Sequence, residues 1–490
     1  MCGVLGIYGP ERDVARLAYF GLFALQHRGQ ESAGIAVSDR ARLTVLRDMG
    51  LVTQVFSEEK LQGLQGQAAI AHCRYSTTGS ARWTNAQPIV QHGPARTVAL
   101  GHNGNLTNTT ELRQELVDRG VKLGSTSDTE VIAALIAHDE RPLEEAVAST
   151  MRRIQGAFSA VLLAEGKLVG FRDPAGIRPL VLGRLEGDYV LASETSALDL
   201  LGADFVREIE PGELVVVDEQ GMRAIRATDE ESAGALCIFE FIYFARPDST
   251  MRGVELHGAR IRMGERLAAE APAEADLVMG IPDSGTPAAI GFARASGIPF
   301  SEGLIKNRYV GRTFIQPDQA LREHGIKTKF NPLAEMAGKR VVVVDDSIVR
   351  GSTTRQIVQM LFEGGALEVH VRISSPPIVS PCFYGIDMAS EDELIASTRS
   401  VEEVRGQIGA TSLAYLSLDG LQASTRRPEG TFCRACLTRK YPTEIPEDVR
   451  LAKLRFEPAL AAEAQRGPAQ RPEPGLAPAR PVSATKASRP

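Results

Sequence analysis

The sequence predicts two domains, an α+β domain followed by an α/β domain that contains a parallel sheet. The chain has 490 residues, which exceeds the size of a single ordinary core. In the second half, residues 341–344 are four consecutive valines, as expected of a strand buried on both faces of a parallel sheet. In the first half, residues 173–217 hold short apolar segments separated by turn sequences, which predicts short strands.

The composition indicates a soluble protein that handles small molecules. Apolar residues make up 43% of the chain and charged residues 24%, with a net charge of −6. This balance gives no general attraction to nucleic acid or to a lipid surface, so neither is expected as a partner. The N-terminus lacks the features of a signal peptide, and no apolar run approaches membrane-spanning length. We therefore expect a cytoplasmic protein whose six cysteines are reduced unless they bind a metal or perform chemistry.

Cys2 is the first candidate for a reactive side chain. Removal of Met1, the only processing expected, would give Cys2 a free α-amine with a pKa of about 7.7–8.0. A thiol nucleophile and a base able to accept its proton would then share one residue. The alternative interpretation is a buried structural cysteine near the N-terminus.

Four further segments of the first half place polar or charged residues beside glycine or at strand ends: residues 26–34, 71–79, 101–106 and 127–128. Together with Cys2, they resemble the N-terminal-nucleophile (Ntn) glutamine amidotransferases. The resemblance implies an αββα glutaminase domain in which Cys2 attacks the glutamine amide, positioned by Arg28 and Gly29. It also implies that Asn103 and the backbone N–H of Gly104 form the oxyanion hole, where donors meet the charge of the transition state.

The same resemblance implies that two residues bind the glutamine substrate. Arg74 would hold the α-carboxylate, a pairing that suits guanidinium geometry, and Asp128 would hold the α-amine. Taken singly, these residues have ordinary alternatives, namely a surface ion pair for Arg74 and a helix N-cap for Asp128. The segment 103–104 alone could equally be a hairpin turn.

The predicted domain boundaries follow changes in composition. The Ntn glutamine amidotransferase domain is assigned to residues 2–232 and the second domain to residues 233–456, with a charged junction at residues 223–235. The turn at residues 173–180, which also resembles that amidotransferase family, is a candidate to face the second domain. Residues 457–490 are rich in Ala, Pro and Arg and are predicted to be a disordered tail.

The valine strand of the second domain ends at two acids, Asp345 and Asp346, and runs through a loop of small residues into a predicted helix at residues 354–362. Such a loop presents backbone N–H groups at a helix N-terminus and can cradle an anion. Adjacent carboxylates suit the hydroxyls of a sugar or a magnesium ion. This arrangement resembles the 5-phosphoribosyl-1-pyrophosphate (PRPP) motif of type I phosphoribosyltransferases. The resemblance implies ribose contacts from both acids and phosphate contacts from the loop residues Ser347, Arg350, Gly351, Ser352 and Thr353.

A second strand–loop–helix unit is predicted at residues 277–295, and a cationic segment follows it at residues 304–317. By the same resemblance, Ser284 would join Asp345 and Asp346 around one Mg²⁺ per subunit, which offsets charge on the leaving pyrophosphate. Lys306 and Arg308 would belong to a flap that closes on PRPP and excludes water. The alternative interpretation of the flap is a solvated charged loop.

Four cysteines of the second domain form the last motif. Cys433 and Cys436 have the Cys-x-x-Cys spacing of metal ligands, and Cys237 and Cys382 could complete a set of four. A redox pair or unrelated buried thiols are the alternatives. With the segments 374–378, 382–387 and 440–446, the pattern resembles the bacterial branch of the glutamine PRPP amidotransferase family. That branch carries one 4Fe-4S cluster per subunit, and zinc remains the alternative on spacing alone.

The family resemblance implies a complete reaction. Glutamine, PRPP and water would give 5-phosphoribosylamine, glutamate and pyrophosphate, the first committed step of purine nucleotide synthesis. It further implies a homo-oligomer, usually a tetramer, inhibited by purine nucleotides. One rival hypothesis is a different amidotransferase, such as an asparagine or glucosamine-phosphate synthase, but neither resembles the site at Asp345 and Asp346. The other is a PRPP-sensing or RNA-binding regulatory protein on a phosphoribosyltransferase fold, which leaves the residues around Cys2 unexplained.

Overall fold

The computed structural model describes residues 1–40, 42–76, 79–228, 234–307, 329–388 and 390–446. Within these ranges, the first domain contains thirteen strands in two sheets. The strands are β1 (Gly3–Tyr8), β2 (Ser32–Ser38), β3 (Leu43–Met49), β4 (Ala68–Arg74), β5 (Ile89–His92), β6 (Thr97–Leu106), β7 (Gly156–Ala164), β8 (Lys167–Arg172), β9 (Val181–Leu185), β10 (Asp188–Ala192), β11 (Asp204–Glu208), β12 (Glu213–Asp218) and β13 (Gly221–Arg226). The helices are α1 (Val14–Ala24), α2 (Val52–Val55), α3 (Glu58–Gln62), α4 (Thr109–Asp118), α5 (Asp128–Ala137), α6 (Leu143–Arg153) and α7 (Thr195–Leu201).

The two sheets of the first domain stack face to face between two layers of helices. One sheet has the order β11-β9-β10-β1-β4-β2-β3 and the other the order β13-β12-β8-β7-β6-β5, with antiparallel pairing throughout. Val4 and Ile70 of the first sheet share a buried cluster with Val161 and Val215 of the second. Helices α1, α2 and α7 cover the outer face of the first sheet, and α4, α5 and α6 cover that of the second. The predicted αββα architecture is confirmed.

The second domain is an α/β domain built on a four-stranded parallel sheet. Its strands are β14 (Leu236–Cys237), β15 (Thr250–Met251), β16 (Val254–Glu255), β17 (Leu277–Gly280), β18 (Leu304–Lys306), β19 (Phe330–Pro332), β20 (Arg340–Asp345), β21 (Glu368–Ile373), β22 (Ser412–Tyr415) and β23 (Phe432–Cys433). Its helices are α8 (Leu256–Glu270), α9 (Thr286–Ser296), α10 (Ser352–Glu363), α11 (Val401–Ile408), α12 (Leu418–Thr425) and α13 (Ala435–Thr438), with a π-helical turn at Glu240–Phe244.

The parallel sheet has the order β17-β20-β21-β22, and the valine strand β20 lies inside it as predicted. Val342 and Val344 pack into a cluster with helices α8 and α9, whereas Val341 and Val343 face α10 and α11. Alternate side chains of β20 are therefore buried on opposite faces, which is why the strand shows no polar alternation. The register pairs Gly280 with Val344, so the loops that follow β17 and β20 meet at one edge of the sheet.

The two domains contact each other through residues that flank the predicted sites. Arg178 donates from Nε and Nη2 to the carbonyl of Tyr384 at 2.8 and 2.6 Å. Asn105 donates from Nδ2 to the carbonyl of Phe383 at 3.0 Å, and Cys237 donates its N–H to the carbonyl of Ile177 at 3.1 Å. The turn at 173–180 thus faces the second domain. No helix in the described part of the chain is long and apolar enough to cross a membrane.

The junction between the domains begins later than the sequence predicted. Strand β13 continues to Arg226 and pairs with β12 along its whole length, so residues 223–226 belong to the sheet. This strand lies at the edge of its sheet, and two of these four residues are arginines, so its composition resembles that of a linker. The predicted boundary between residues 232 and 233, the end of the second domain at residue 456 and the tail at 457–490 lie outside the described residues.

Candidate functional site

The nucleophile candidate Cys2 lies immediately before β1, where this strand pairs with β4. Its thiol is buried, and the N–H of Tyr75 lies 3.5 Å from Sγ. Burial raises the pKa of the Cys2 thiol, although the charges of the Met1 α-amino group and of Arg74 oppose the effect. The backbone nitrogen of Cys2 donates to Oδ1 of Asn103 at 3.1 Å. Thiol, α-nitrogen and Asn103 therefore come together, as the sequence analysis requires.

Arg28 and Gly29 lie beside Cys2 in different ways. The Nε group of Arg28 donates to the carbonyl of Cys2 at 2.9 Å from a completely buried position. Gly29 lies so close to β4 that a Cβ atom there would come within 2.6 Å of the Cys73 carbonyl oxygen and the Arg74 backbone. Glycine is thus the residue that lets the Arg28 segment approach the strand.

Asn103 and Gly104 lie within strand β6 and not in a hairpin turn. The Nδ2 group of Asn103 is buried and has no hydrogen-bond partner in the described ranges. A buried amide donor without a partner costs about 1–3 kcal/mol, unless a ligand supplies the acceptor. Gly104 has φ +142°, a backbone conformation that favours glycine, and Gly385 of the second domain packs against it. This arrangement can donate hydrogen bonds to an oxyanion near Cys2.

The two glutamine-binding candidates are both buried. Arg74 donates from Nη1 to the carbonyl of Ser80 at 3.0 Å and lies 3.5 Å from the Glu31 carboxylate. Asp128 begins helix α5, but Ser127 is the N-cap residue. One carboxylate oxygen of Asp128 accepts the N–H of Leu106 at 3.0 Å. Burial alone would raise the pKa of Asp128, but His102 and backbone hydrogen bonds lower it below its ordinary value, so the carboxylate is available for a cation.

The paired acids of the second domain lie at the end of β20, where the loop after β17 meets them. Asp345 and Asp346 are buried, and burial together with the charge of Asp346 raises the pKa of Asp345 well above its ordinary value. Burial also raises the pKa of Asp346, although hydrogen bonds from the hydroxyls of Ser284 and Ser347 lower it in part. Two buried carboxylates and a serine hydroxyl are oxygen ligands of the kind that Mg²⁺ accepts, so the donor set fits the predicted ion.

The loop between the acids and helix α10 has the geometry of an anion cradle. Gly351 has φ +75° and is the N-cap residue of α10, which begins at Ser352 and includes Thr353. Ser347 donates from Oγ to Asp346 at 2.5 Å, and Arg350 pairs with Glu393 at 2.9 Å. The N-terminus of a twelve-residue helix therefore opens beside the paired acids.

The predicted flap is described only at its start. Lys306 ends strand β18 and pairs with the carboxylate of Asp283 in the loop after β17. Residues 308–328, which include Arg308, lie outside the described residues. Lys306 thus lies beside the loop that carries Ser284.

The four cysteines of the second domain line one cavity. Cys237 and Cys433 are register partners in the parallel pair β14–β23, Cys436 lies on α13, and Cys382 comes from the loop that faces the first domain. The other residues that line the cavity include Arg178. Burial raises the pKa of the Cys237 thiol to about 11. A cation in the cavity would favour the thiolates, so four thiols in this arrangement fit a metal group.

No three His, Cys, Asp or Glu side chains converge on one point closely enough to hold a single metal ion, within the residues the structure describes. Sulfurs around a tetrahedral zinc would stand roughly 3.8 Å apart, because the Zn–S bond is about 2.3 Å. Cys237, Cys382, Cys433 and Cys436 line one cavity, so they are the thiols that a metal group bound there would contact.

Two functional candidates escaped the sequence analysis. Glu194 and Glu240 are completely buried, and both contact the guanidinium of Arg28. Glu240 could have attracted attention, because it is the only acid in the apolar segment 236–244. Glu194 follows strand β10 without a comparable signal, and its partners come from distant parts of the chain.

Comparisons with known proteins identify a different domain family in each half of the chain. A glutamine amidotransferase domain family matches residues 72–200, and a phosphoribosyl transferase domain family matches residues 256–374. An amidophosphoribosyltransferase from Synechococcus elongatus is 55% identical over 468 residues, which is 94% of this chain and 95% of the relative. The Bacillus subtilis amidophosphoribosyltransferase is 47% identical over 461 residues, covering 93% of this chain and 96% of that protein.

A solved structure has the same fold over most of its length. It is the glutamine PRPP amidotransferase of B. subtilis complexed with ADP and GMP, with a TM-score of 0.86 and 47% identity. The match covers 91% of this chain and 98% of the solved one.

Proposed function

This chain belongs to the amidophosphoribosyltransferase family, and from that premise we propose how its residues divide the reaction between two sites. The enzyme is a glycosyltransferase of purine biosynthesis that uses glutamine and PRPP. The proposal assigns release of ammonia to Cys2 in the first domain. It assigns the attack of that ammonia on PRPP to the site beside Asp345 in the second domain.

In the first half-reaction, the Cys2 thiolate attacks the glutamine side-chain carbonyl, and ammonia leaves as a thioester forms. Water then hydrolyses the thioester to release glutamate. The α-amine of Cys2 accepts the thiol proton and returns it to the leaving nitrogen. This role requires removal of Met1, because the Cys2 nitrogen is an amide while Met1 precedes it. Arg74 and Asp128 hold the two charged ends of glutamine.

The oxyanion of the tetrahedral intermediate lies between the Nδ2 group of Asn103 and the N–H of Gly104. The single observation that carries this proposal is the buried, unpartnered Nδ2 group beside Cys2. Its desolvation is already complete in the folded enzyme, so the donor needs little reorganisation when negative charge develops.

In the second half-reaction, ammonia attacks C1 of PRPP and pyrophosphate leaves. Asp345 and Asp346 accept hydrogen bonds from the ribose hydroxyls, and the loop from Ser347 to Thr353 holds the 5′-phosphate at the N-terminus of α10. Ser284, Asp345 and Asp346 would hold one magnesium ion per subunit, which would supply charge stabilisation for the leaving pyrophosphate when bound. Lys306, with Arg308 of the flap, contributes positive charge near the same group.

Ammonia must travel between the sites without becoming ammonium, which has no lone pair for the attack. The close contact between Gly385 and Gly104 supports a passage sealed by the domain interface. Closure of the flap would complete this seal and exclude water from the activated ribose.

For the cysteine cavity, the proposal is one 4Fe-4S cluster per subunit held by Cys237, Cys382, Cys433 and Cys436, with zinc as the alternative. The supporting observation is that the four thiols line one buried cavity at the domain interface. When bound, the cluster would link β14, α13 and the loop at the interface. Analysis of anaerobically purified protein should find iron and sulfide. Zinc without sulfide would contradict the proposal.

Regulation and assembly are proposed from the relatives. The B. subtilis structure contains ADP and GMP, which supports purine nucleotides as feedback inhibitors of this enzyme. We expect a cytoplasmic homotetramer, which sedimentation equilibrium can test. Titration of the PRPP reaction with ADP and GMP tests the inhibition.

The central test uses Cys2→Ala. The variant should lose glutamine-dependent synthesis of phosphoribosylamine yet keep synthesis from added ammonium salts, because the second site is intact. Loss of both activities in a folded variant would contradict the separation of the two sites.

A further inference from the structure

A buried group of charges joins the two domains directly behind Cys2. The guanidinium of Arg28 donates from Nη2 and Nη1 to the two carboxylate oxygens of Glu240, at 2.8 and 3.0 Å. Its Nη1 group also contacts Glu194, and its Nε group donates to the Cys2 carbonyl at 2.9 Å. Arg28 and Glu194 belong to the first domain, whereas Glu240 belongs to the second.

We infer that Glu240 is a positioning residue for glutamine hydrolysis, supplied to the glutaminase site by the phosphoribosyltransferase domain. It orients Arg28, and Arg28 fixes the backbone carbonyl of the nucleophilic residue. This inference rests on the proposed role of Cys2 as the nucleophile.

The geometry of the guanidinium group explains why Glu240 can act at a distance. The group is planar, so a carboxylate that binds both terminal nitrogens also fixes the direction of the Nε–H bond. That bond points at the carbonyl of Cys2. Without the two-point contact, Arg28 could rotate about its side-chain torsions and would hold the carbonyl less tightly.

The electrostatics require both acids. Arg28, Glu194 and Glu240 have no exposed side-chain surface, and Arg178 lies 3.8 Å from Glu240. Two guanidinium groups thus face two carboxylates that have no solvent-exposed surface, and His27 also contacts Glu194 at 2.7 Å. Burial alone would lower the pKa of Arg28, but Glu240 and Glu194 together raise it above its ordinary value. Neutralising Glu240 would leave a buried positive charge without one of its partners.

The core of the second domain determines where Glu240 stands. Glu240 begins the π-helical turn Glu240–Phe244, and buried Arg260 of α8 holds this turn. Arg260 donates from Nε to the carbonyl of Phe241 at 2.8 Å and from Nη2 to that of Ala245 at 2.7 Å. Since α8 packs against the parallel sheet, a displacement of the second domain would carry Glu240 away from Arg28. The glutaminase site is therefore complete only while the domains are docked.

The test compares Glu240→Gln with the wild type in two assays of the full-length enzyme. The substitution keeps size but replaces one acceptor oxygen with a donor that faces a donor of Arg28. We expect kcat for glutamine hydrolysis to fall roughly 10- to 100-fold, as for a small misplacement of a reacting group. The KM for glutamine and the ammonia-dependent rate should stay within about twofold, because Glu240 binds neither substrate.

Glu208→Gln is the matched control. Glu208 of β11 also joins the domains, since it accepts the N–H of Arg252 at 2.5 Å, but it touches neither Arg28 nor Cys2 in the described contacts. The glutamine-dependent and ammonia-dependent activities of the Glu208→Gln enzyme should both stay within about twofold of the wild type.

Three results would overturn the inference: a Glu240→Gln enzyme as active with glutamine as the wild type, an equal loss of both activities, or an equal loss in the Glu208→Gln control. If Glu240→Gln does not fold, Glu240→Asp carries the same test, because it keeps the charge but is too short for the two-point contact. Failure of the proposed function itself would be distinct, since the wild type would then lack glutamine-dependent activity.

Discussion

Removal of the Asn103 amide donor should separate catalysis from stability. We consider two variants of similar size, Asn103→Leu and Asn103→Asp. The leucine variant loses both polar groups of the side chain. The aspartate variant keeps an oxygen that can accept the hydrogen bond of the Cys2 nitrogen, but it has no donor for an oxyanion.

The magnitudes follow from the two ends of the side chain. The hydrogen bond from Cys2 to Oδ1 contributes about 1 kcal/mol to folding, and the unpartnered Nδ2 group costs about 1–3 kcal/mol. In Asn103→Leu these contributions offset each other, so the free energy of unfolding should change by less than about 2 kcal/mol. Loss of an oxyanion donor should lower kcat for glutamine hydrolysis by about 10²- to 10³-fold, or about 2.7–4 kcal/mol.

The assays are glutamate release from glutamine, ammonia-dependent synthesis from PRPP, and urea unfolding. Thr107→Val is the matched control, because Thr107 is buried just after the same strand and its hydroxyl also has no partner among the described residues. Its kcat should match that of the wild type. A kcat for either Asn103 variant within about threefold of the wild type would refute the assignment of Nδ2 to the oxyanion hole.

Three further predictions address the domain interface, the stability of the protein at low pH and the PRPP site. Gly385 has φ +109°, and the Cβ of Gly385→Ala would lie 3.0 Å from the backbone of Gly104, so the substitution should destabilise the enzyme by about 1–3 kcal/mol. It should also lower glutamine-dependent activity more than ammonia-dependent activity, and wild-type values in urea unfolding and in both assays would contradict this prediction. Burial alone would raise the pKa of Glu194, but His27 and Arg28 lower it below its ordinary value of 4.5, so its contribution to stability is complete above pH 4.5 and declines as the pH falls below it. Urea unfolding should therefore show that the free energy of unfolding falls less below pH 4.5 in Glu194→Gln than in the wild type. An equal fall in both enzymes would show that Glu194 does not contribute to the acid sensitivity. Asp346→Asn should weaken Mg²⁺-dependent binding of PRPP at least about tenfold in calorimetry, while glutamine hydrolysis without PRPP is retained. A PRPP affinity equal to that of the wild type would show that Asp346 does not belong to the PRPP site.

The sequence alone determined the local chemistry of this protein. Four adjacent valines require burial on both faces, so β20 could be placed in a parallel sheet before its neighbours were known. The small residues after Asp346 likewise indicated a loop and a helix N-terminus, and α10 begins at Ser352. The candidate residues around Cys2 came from family resemblance, because a thiol, an arginine or an Asn–Gly pair is ambiguous by itself.

Only the tertiary structure decided which distant residues share one environment. Arg28 is separated from Glu240 by 212 positions, and no periodicity links them, yet their two-point contact lies behind the nucleophile. The four cysteines enclose one cavity for the same reason, since strand pairing and loop docking bring them together. Sequence spacing reports neighbours along a helix or strand, whereas contacts across a domain interface depend on how whole sheets and helices pack.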